Sequence, residues 1–241
     1  SADLDDLTAE LELLDKEFIA NPADSKENIK KLLEQIEKVE EDVYQNPSEA
    51  NFLRIQKIKK DVENILITLG MDLTDDSLKG TPNRVAKMFV KEIFGGLNPN
   101  KKPKASTFDN NYKYGEMLVE KNITVYSTCE HHLLPIVGRA HIAYISNGSV
   151  VGLSKMNRIV DYYAKRPQVQ ERLTIQIVKE LQEVLNTQDV ACVIDAKHLC
   201  VNSRGIRDVD SSTVTSEFGG KFKEKTTRRE FLDYIKLETK F

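Results

Sequence analysis

Apolar side chains recur every third or fourth position through the first 70 residues, and this spacing is typical of amphipathic helices. Two helices are predicted before residue 45. Because their apolar stripes are narrow and the positions around them are highly charged, we interpret this segment as an interaction arm or a partly mobile extension. A third helix is predicted after Pro47 with Gly70 as its stop, and a fourth begins at Thr81-Pro82 and closes at Gly95-Gly96.

The pattern changes at residue 98, where a polar stretch that reaches residue 114 predicts a surface loop. Beyond it, runs rich in Val, Ile, Tyr and Thr predict strands, and longer stretches with helical apolar spacing predict helices. In chain order these are strands at residues 117–127 and 136–145, helices at 154–165 and 169–184, strands at 190–201 and 213–222, and a closing helix at 228–236. This order predicts an α+β fold, with an antiparallel sheet covered by two helices on one face.

The 241 residues, of which 40% are hydrophobic and 30% charged, indicate an ordinary globular protein. We predict three parts: an acidic helical extension at 1–50, a helical region with a connecting loop at 51–115, and a catalytic domain at 116–241. No apolar stretch approaches the roughly 18 residues that cross a bilayer. Residues 1–10 are acidic and lack the regions that export requires, so we expect a cytoplasmic protein with no membrane partner.

The net charge of −3 conceals an asymmetry along the chain. Residues 1–50 carry 15 acidic and 5 basic side chains, whereas residues 51–241 carry 23 acidic and 30 basic ones. The basic surplus suits an anionic ligand, but it lacks the dense clustering of a nucleic-acid-binding surface. We therefore expect an anionic small molecule and no nucleic acid as the partner.

Cysteine and histidine concentrate in two short segments, at residues 129–132 and 197–200. Three cysteines are an odd number in a chain expected in the cytoplasm, which argues against a disulfide framework. Zinc takes thiolate and imidazole ligands, and a catalytic zinc keeps three protein ligands with one open position. We predict that Cys129 and His132, three positions apart, bind zinc together with Cys200, which is expected at the end of a strand.

Two histidines, His131 and His198, are left beside this predicted zinc site. An imidazole titrates near neutral pH, so both residues suit proton transfer. The alternative is that the cysteines of these segments are small buried hydrophobes and the histidines are satisfied core groups. We interpret Cys192 and His141 in that second way, because each lies within a predicted strand.

A basic group accompanies the predicted metal site. Ser154, Lys155 and Arg158 fall in the first turn of a predicted helix, where free N–H groups and a partial positive charge favour phosphate oxygens. Arg204 follows Cys200 closely, and an arginine fork binds phosphate through two hydrogen bonds. The group predicts a polyanionic ligand, although each residue taken singly is also typical of an ordinary surface.

Two other sets of polar residues have both a structural and a functional interpretation. Glu171, beside Gln170 at the start of the long helix, has a carboxylate of the kind that can accept two N–H bonds from a guanine-type edge. A glutamate at a helix start is also favoured by the helix dipole alone. Arg84 and Lys87 share one helix face, which is typical of a solvated charged surface.

Four motifs together resemble the GTP cyclohydrolase I family. They are Thr-Cys-Glu-His-His-Leu-Leu-Pro at 128–135, Val-Gly-Leu-Ser-Lys-Met-Asn-Arg-Ile-Val at 151–160, Arg-Pro-Gln-Val-Gln-Glu-Arg-Leu-Thr at 166–174 and His-Leu-Cys-Val-Asn-Ser-Arg-Gly-Ile at 198–206. The resemblance runs from about residue 52 to the C-terminus, in the order and spacing of the family. Residues 1–50 fall outside it.

The resemblance implies a role for each residue singled out above. It implies zinc at Cys129, His132 and Cys200, and proton transfer by His131 and His198. The implied substrate-binding residues are Glu171 and Gln170 for guanine, Ser154 as a neighbouring contact, Lys155, Arg158 and Arg204 for the triphosphate, and Arg84 and Lys87 from an adjacent subunit.

The reaction implied by the resemblance is that of a hydrolase acting on a cyclic amidine. It is the zinc-dependent hydrolysis of GTP at C8, which releases formate and is followed by rearrangement to 7,8-dihydroneopterin triphosphate, the first step of tetrahydrofolate or pterin biosynthesis. The implied architecture is the tunnelling fold, assembled as a toroidal homodecamer with sites at subunit interfaces.

Two other functions compete with this interpretation. A zinc nucleotide deaminase would also activate water on a base, but its His-x-Glu and Pro-Cys-x-x-Cys signature is missing from the sequence. A nucleotide-binding scaffold with structural zinc would be expected to supply four protein ligands, whereas the predicted set has three.

Overall fold

The structure is a computed structural model that describes residues 47–104 and 106–238, together with Ala9 and Lys31. Apart from these two positions, the helices predicted before residue 45 lie outside the described residues. The chain divides between Lys91 and Glu92 into two compact units. The predicted division into 1–50, 51–115 and 116–241 stays a prediction.

The described part of the first unit contains the helices α1 (Pro47–Thr68) and α2 (Thr81–Met88). Helix α1 ends at Thr68 and is followed by a turn at Gly70, whose φ of +77° suits a residue without a Cβ atom. The N–H of Met71 returns to the carbonyl of Leu66 at 3.0 Å. Helix α2 has a proline in its first turn, as predicted. The predicted fourth helix does not run regularly to Gly95, because a π-helical turn replaces it at Phe89–Ile93.

The second unit contains an α+β arrangement, which confirms the predicted fold class at that level. In chain order its elements are β1 (Thr107–Asp109), β2 (Met117–Cys129), β3 (Pro135–Ile145), β4 (Ser149–Val151), α3 (Leu153–Ala164), β5 (Pro167–Gln168), α4 (Gln170–Leu185), β6 (Val190–His198), α5 (Leu199–Asn202), β7 (Thr213–Phe218) and α6 (Lys225–Lys236). Among the described residues, no helix is long and apolar enough to span a membrane.

The main sheet has the strand order β5-β2-β3-β6-β7. Its last four strands pair in antiparallel fashion, as predicted, but β5 adds two residues in parallel to the end of β2. The sheet is therefore mixed, which corrects the prediction of a purely antiparallel one. Strand β5 was missed because two residues are too few to show a periodic pattern.

The core lies between one face of this sheet and helices α3 and α4. Alternate strand residues such as Val125, Ile142 and Ile194 are completely buried against helix residues such as Met156 and Leu181. Helix α6 covers part of the opposite sheet face, where Phe231 and Phe222 are buried among residues of β2, β3 and β6. The two helices predicted on one face are thus present, and a third helix lies on the other.

Several predicted boundaries differ from the structure for local reasons. Strand β6 ends at His198, and residues 199–202 form the helical turn α5 rather than more strand. Strand β7 ends at Phe218 and leads into the 3-10 turn Gly220–Lys223. The predicted loop at 98–114 includes the short strand β1, which pairs with β4.

Candidate metal and nucleotide site

The first of the two segments predicted to bind metal is a tight turn that joins β2 to β3. Two backbone hydrogen bonds of 2.8 Å close it, from the Cys129 N–H to the Leu134 carbonyl and from the Leu133 N–H to the Cys129 carbonyl. Leu133 takes a φ of +53°, in the left-handed region. The turn places Cys129 at the buried end of β2 and leaves His131 and His132 exposed.

Sheet pairing brings the second segment to the same place. Residue Ile136 near the start of β3 pairs with His198 at the end of β6, so the turn at Cys129 and the helical turn α5 lie side by side. The sulfur atoms of Cys129 and Cys200 are 3.7 Å apart. Burial raises the pKa of the Cys200 thiol, and the neighbouring Cys129 sulfur raises it further.

Cys129, Cys200 and His198 form a group that fits a metal ion. One ligand atom from each of these residues lies within 4.8 Å of the others. Two sulfurs and one imidazole nitrogen are soft and intermediate donors, and such donors bind zinc in preference to magnesium or calcium. Cys129 and Cys200 lie together, as a shared metal site requires, although Cys200 lies on the turn α5 and not on a strand, where it was predicted. Their role as zinc ligands stays a prediction.

The two exposed histidines have other neighbours. Nδ1 of His131 is 3.6 Å from the Cys129 sulfur, and Nε2 of His132 is 3.2 Å from a guanidinium nitrogen of Arg204. The imidazole grouped with the thiols is thus that of His198, whereas His132 contacts Arg204, a residue predicted to bind the triphosphate. The assignment of His132 as a metal ligand and of His198 as a proton-transfer group stays a prediction.

The buried side chain of Gln170 fixes the orientation of His198. Its Nε2 donates to the carbonyls of Ile194 at 3.0 Å and Thr213 at 2.8 Å, which only accept hydrogen bonds. The Oε1 atom therefore faces Nε2 of His198, at 2.7 Å, and the imidazole must donate its Nε2 proton there. Burial lowers the pKa of His198, and the nearby Glu171 carboxylate opposes this effect.

This role of Gln170 was missed in the sequence, where the residue was predicted to bind substrate. Only 1% of Gln170 is exposed, and its amide is fully engaged with β6, β7 and His198. A glutamine in the first turn of an amphipathic helix gives no sign of burial. Its participation in substrate binding stays a prediction.

The predicted triphosphate ligands lie around the start of α3 and in the loop after α5. Ser154, Arg158 and Arg204 are exposed, and Nζ of Lys155 donates to the backbone carbonyl of Lys104. Helix α3 begins at Leu153, one residue before the predicted start, and Gly152 is its N-cap.

The other three predicted contacts with the substrate are exposed as well. Glu171 lies in the first turn of α4. Arg84 and Lys87 belong to the first unit, where Arg84 donates to the Ser77 carbonyl at 2.9 Å and to the Thr81 hydroxyl at 2.7 Å.

The family model for GTP cyclohydrolase I matches residues 58–236, which is more than half of the chain. The chain belongs to this family. Three similar proteins, each named GTP cyclohydrolase 1, come from Flavobacterium johnsoniae, Aeromonas salmonicida and Vibrio cholerae. The first is 86% identical over 188 residues, 78% of this chain and 84% of the relative. The second is 51% identical over 197 residues, 80% and 90% of the two chains, and the third is 53% identical over 178 residues, 73% and 82%.

The GTP cyclohydrolase I match includes both segments predicted to bind metal, the start of α3 and the start of α4. It also includes a charged pair that the sequence analysis missed. Arg172 of α4 forms an ion pair with Glu130, which lies between Cys129 and His131. The partners are 42 positions apart, and no spacing rule signals such a pair.

Proposed function

We propose that this member of the GTP cyclohydrolase I family is a zinc-dependent hydrolase that opens the imidazole ring of GTP at C8. Formate leaves, and rearrangement gives 7,8-dihydroneopterin triphosphate, the first step of pterin or folate biosynthesis. The observation that carries the proposal is the meeting of Cys129, Cys200 and His198 beside the first turn of α4.

The donor set at this place fits zinc. We propose that Cys129 and Cys200 hold the ion with His132, and that His198 lies against it. When bound, zinc supplies the Lewis acidity that lets water act as a nucleophile near neutral pH.

Proton transfer is proposed for the two histidines on either side of the thiols. Because Nε2 of His198 donates its proton to Gln170, Nδ1 is the atom of the neutral imidazole that accepts one. Its lowered pKa keeps this acceptor unprotonated near neutral pH. His131 is exposed beside Cys129 and is the second residue proposed to transfer protons as the ring opens.

The exposed charges around the thiols are proposed to bind the nucleotide. Glu171 accepts hydrogen bonds from the guanine edge, with Gln170 and Ser154 beside it. Lys155 and Arg204 exchange their contacts within the protein for contacts with phosphate oxygens of the triphosphate. Arg158 is proposed to bind the triphosphate as well. Holding the substrate at both ends places C8 at the metal, which is a positioning contribution to the rate.

The assembly is part of the proposal. We propose a toroidal homodecamer of the tunnelling fold in which Arg84 and Lys87 of one subunit reach the triphosphate bound by another. The exposed positions of both side chains in the first unit support this arrangement. The cytoplasmic location predicted from the sequence stays a prediction.

The test is formate release from GTP, with pterin fluorescence followed in the same sample. Both signals are expected from the purified chain, to disappear after chelation and to return when zinc is restored. Magnesium added in place of zinc is the matched control, because hard cations prefer oxygen ligands. A folded, zinc-loaded protein that releases no formate would contradict the proposal.

A further inference from the structure

One arginine connects the turn after β2 with the start of α4, where Gln170 binds the side chain of His198. Arg172 lies in α4, two positions after Gln170. Its Nη2 donates to Oε2 of Glu130 and to the Pro167 carbonyl at 3.0 Å, and its Nε donates to Oε1 of Gln168 at 3.0 Å. A single guanidinium therefore contacts the turn, strand β5 and, through its own backbone, α4.

Glu130 is the residue through which this arginine reaches the metal-ligating turn. It lies directly between Cys129 and His131, and its backbone N–H donates to the Gln168 carbonyl at 3.0 Å. The turn is exposed at its next three residues, 131–133. On this side the turn is attached through the backbone bond and the carboxylate of Glu130, next to the pairing of Cys129 with Gln168.

Gln168 completes the connection. It is 1% exposed, and its Nε2 donates to the Tyr163 carbonyl and to Oε1 of Gln176, both at 2.8 Å. Because these two acceptors fix the amide, Oε1 is presented to Arg172 in one orientation. The arginine is thus held by a rigid partner even though 44% of its side chain is exposed.

We infer that Arg172 is a positioning residue that sets the distance between the zinc-ligating turn and the start of α4, through Glu130. The inference deepens the proposed function and rests on it for its catalytic consequence. Arginine suits this role because its planar fork binds several acceptors in fixed directions, which the lysine ammonium does not. Without the ion pair between Arg172 and Glu130, the turn that carries Cys129 and His131 loses a restraint on its orientation toward Cys200 and His198.

The experiment compares full-length Arg172→Ala, Arg172→Lys, Glu130→Ala and the Arg172→Ala/Glu130→Ala double variant with the parent chain. Zinc affinity is measured by competition with a chromophoric chelator, and the geometry of the site by the thiolate absorption of the cobalt-substituted protein. Lys236→Ala is the matched control, because its ion pair with Asp233 at 3.0 Å is exposed and lies on α6.

We expect Arg172→Ala to weaken zinc binding by about tenfold and to alter the cobalt spectrum, as loss of outer partners does in other metal sites. Arg172→Lys recovers only part of the affinity. The double variant is expected to bind zinc no more weakly than the more severely affected single variant, because both changes remove the same connection. For zinc-saturated protein, kcat falls more than KM for GTP rises.

Unchanged zinc affinity and cobalt spectrum in Arg172→Ala would overturn the inference, as would full additivity in the double variant. Circular dichroism shows whether each variant is folded, and if Arg172→Ala is not, Arg172→Lys and a Glu130→Gln variant carry the test. A parent chain that binds zinc but releases no formate contradicts the proposed function alone, since affinity and spectrum still test the role of Arg172.

Discussion

The three cysteines occupy two different environments, which predict opposite results for their substitution. Cys129 and Cys200 lie 3.7 Å apart, whereas Cys192 is fully buried in the core, where burial raises the pKa of its thiol above the usual range. Cys200→Ser is expected to lose bound zinc and formate release, because a hydroxyl is a poor zinc ligand. Zinc per chain is measured by atomic emission beside the formate assay.

Cys192→Ala is the control for the cysteine prediction. It is expected to keep zinc and activity while losing about 1 kcal/mol of unfolding free energy, the usual cost of a small core truncation. Retention of stoichiometric zinc by Cys200→Ser would contradict the proposed ligand set.

His141 predicts a pH dependence of stability. It is 7% exposed, its Nδ1 accepts the Asn122 N–H at 3.3 Å, and burial lowers its pKa from the ordinary value of 6.5. The Asp195 carboxylate opposes this shift and Lys121 reinforces it. Below pH 6.5 the unfolded chain binds more protons than the folded one, so the free energy of unfolding falls as pH falls through the folded pKa.

The measurement is urea unfolding at pH values from about 7.5 to about 5.5, in the presence of a chelator so that metal binding adds no pH dependence of its own. His141→Asn is expected to show a smaller slope, because an amide does not titrate but still offers an acceptor to Asn122. Some slope is expected to remain, since burial lowers the pKa of His198 as well. Equal slopes in the parent and in His141→Asn would contradict the assignment.

At the scale of elements, the close pairing of β3 with β6 depends on Gly138. A Cβ atom there would lie 2.2 Å from the Asp195 carbonyl oxygen and 2.4 Å from the Cβ of Ala196. Gly138→Ala is expected to lower the free energy of unfolding by about 1 to 3 kcal/mol, because the backbone of β6 must move. Zinc affinity should fall too, since His198 and Cys200 follow on the same strand and turn.

Gly115→Ala is the matched control for this substitution. A Cβ atom at Gly115 has no atom within 4 Å, so the unfolding free energy is expected to stay close to that of the parent. Urea unfolding of both variants separates steric crowding from the general effect of replacing a glycine. Equal free energies of unfolding for the two variants would show that β6 moves without loss of stability.

The elements with long apolar patterns were predictable from the sequence. The helices α3 and α4 and the strands β2, β3 and β6 lie within a few residues of their predicted positions, because each presents a regular apolar face. The helical turn α5 was not predictable, since Leu199–Asn202 is a single turn that continues an apolar strand pattern. Neither was the irregularity between Glu120 and Ile123, where Asn122 takes a φ of +60°.

The candidate site was predictable in its residue types but not in its connections. Ligand chemistry alone singles out Cys129 and Cys200, whose sulfur atoms lie 3.7 Å apart. The hydrogen bonds of Gln170 and the ion pair of Arg172 depend on contacts between residues far apart in sequence. Such contacts follow from packing and leave no spacing pattern for a single sequence to reveal.

At the scale of the whole molecule, the proposed assembly predicts that subunits share their sites. If Arg84 of one copy binds the triphosphate held beside the thiols of another, Arg84→Ala and Cys200→Ser are each expected to be inactive alone. Mixed oligomers of the two variants then contain sites with both residues intact. Random mixing in equal amounts restores about one quarter of the sites.

The experiment is coexpression of two differently tagged variants, tandem purification of the mixed oligomers and the formate assay. The matched control pairs Cys200→Ser with His198→Ala, because both changes affect the same half of the site and mixing restores nothing. Activity in the first mixture and none in the second would support a site built by two subunits. Inactivity of both mixtures, with mixed oligomers present, would place Arg84 outside the partner's site, and full activity of Arg84→Ala alone would remove it from phosphate binding.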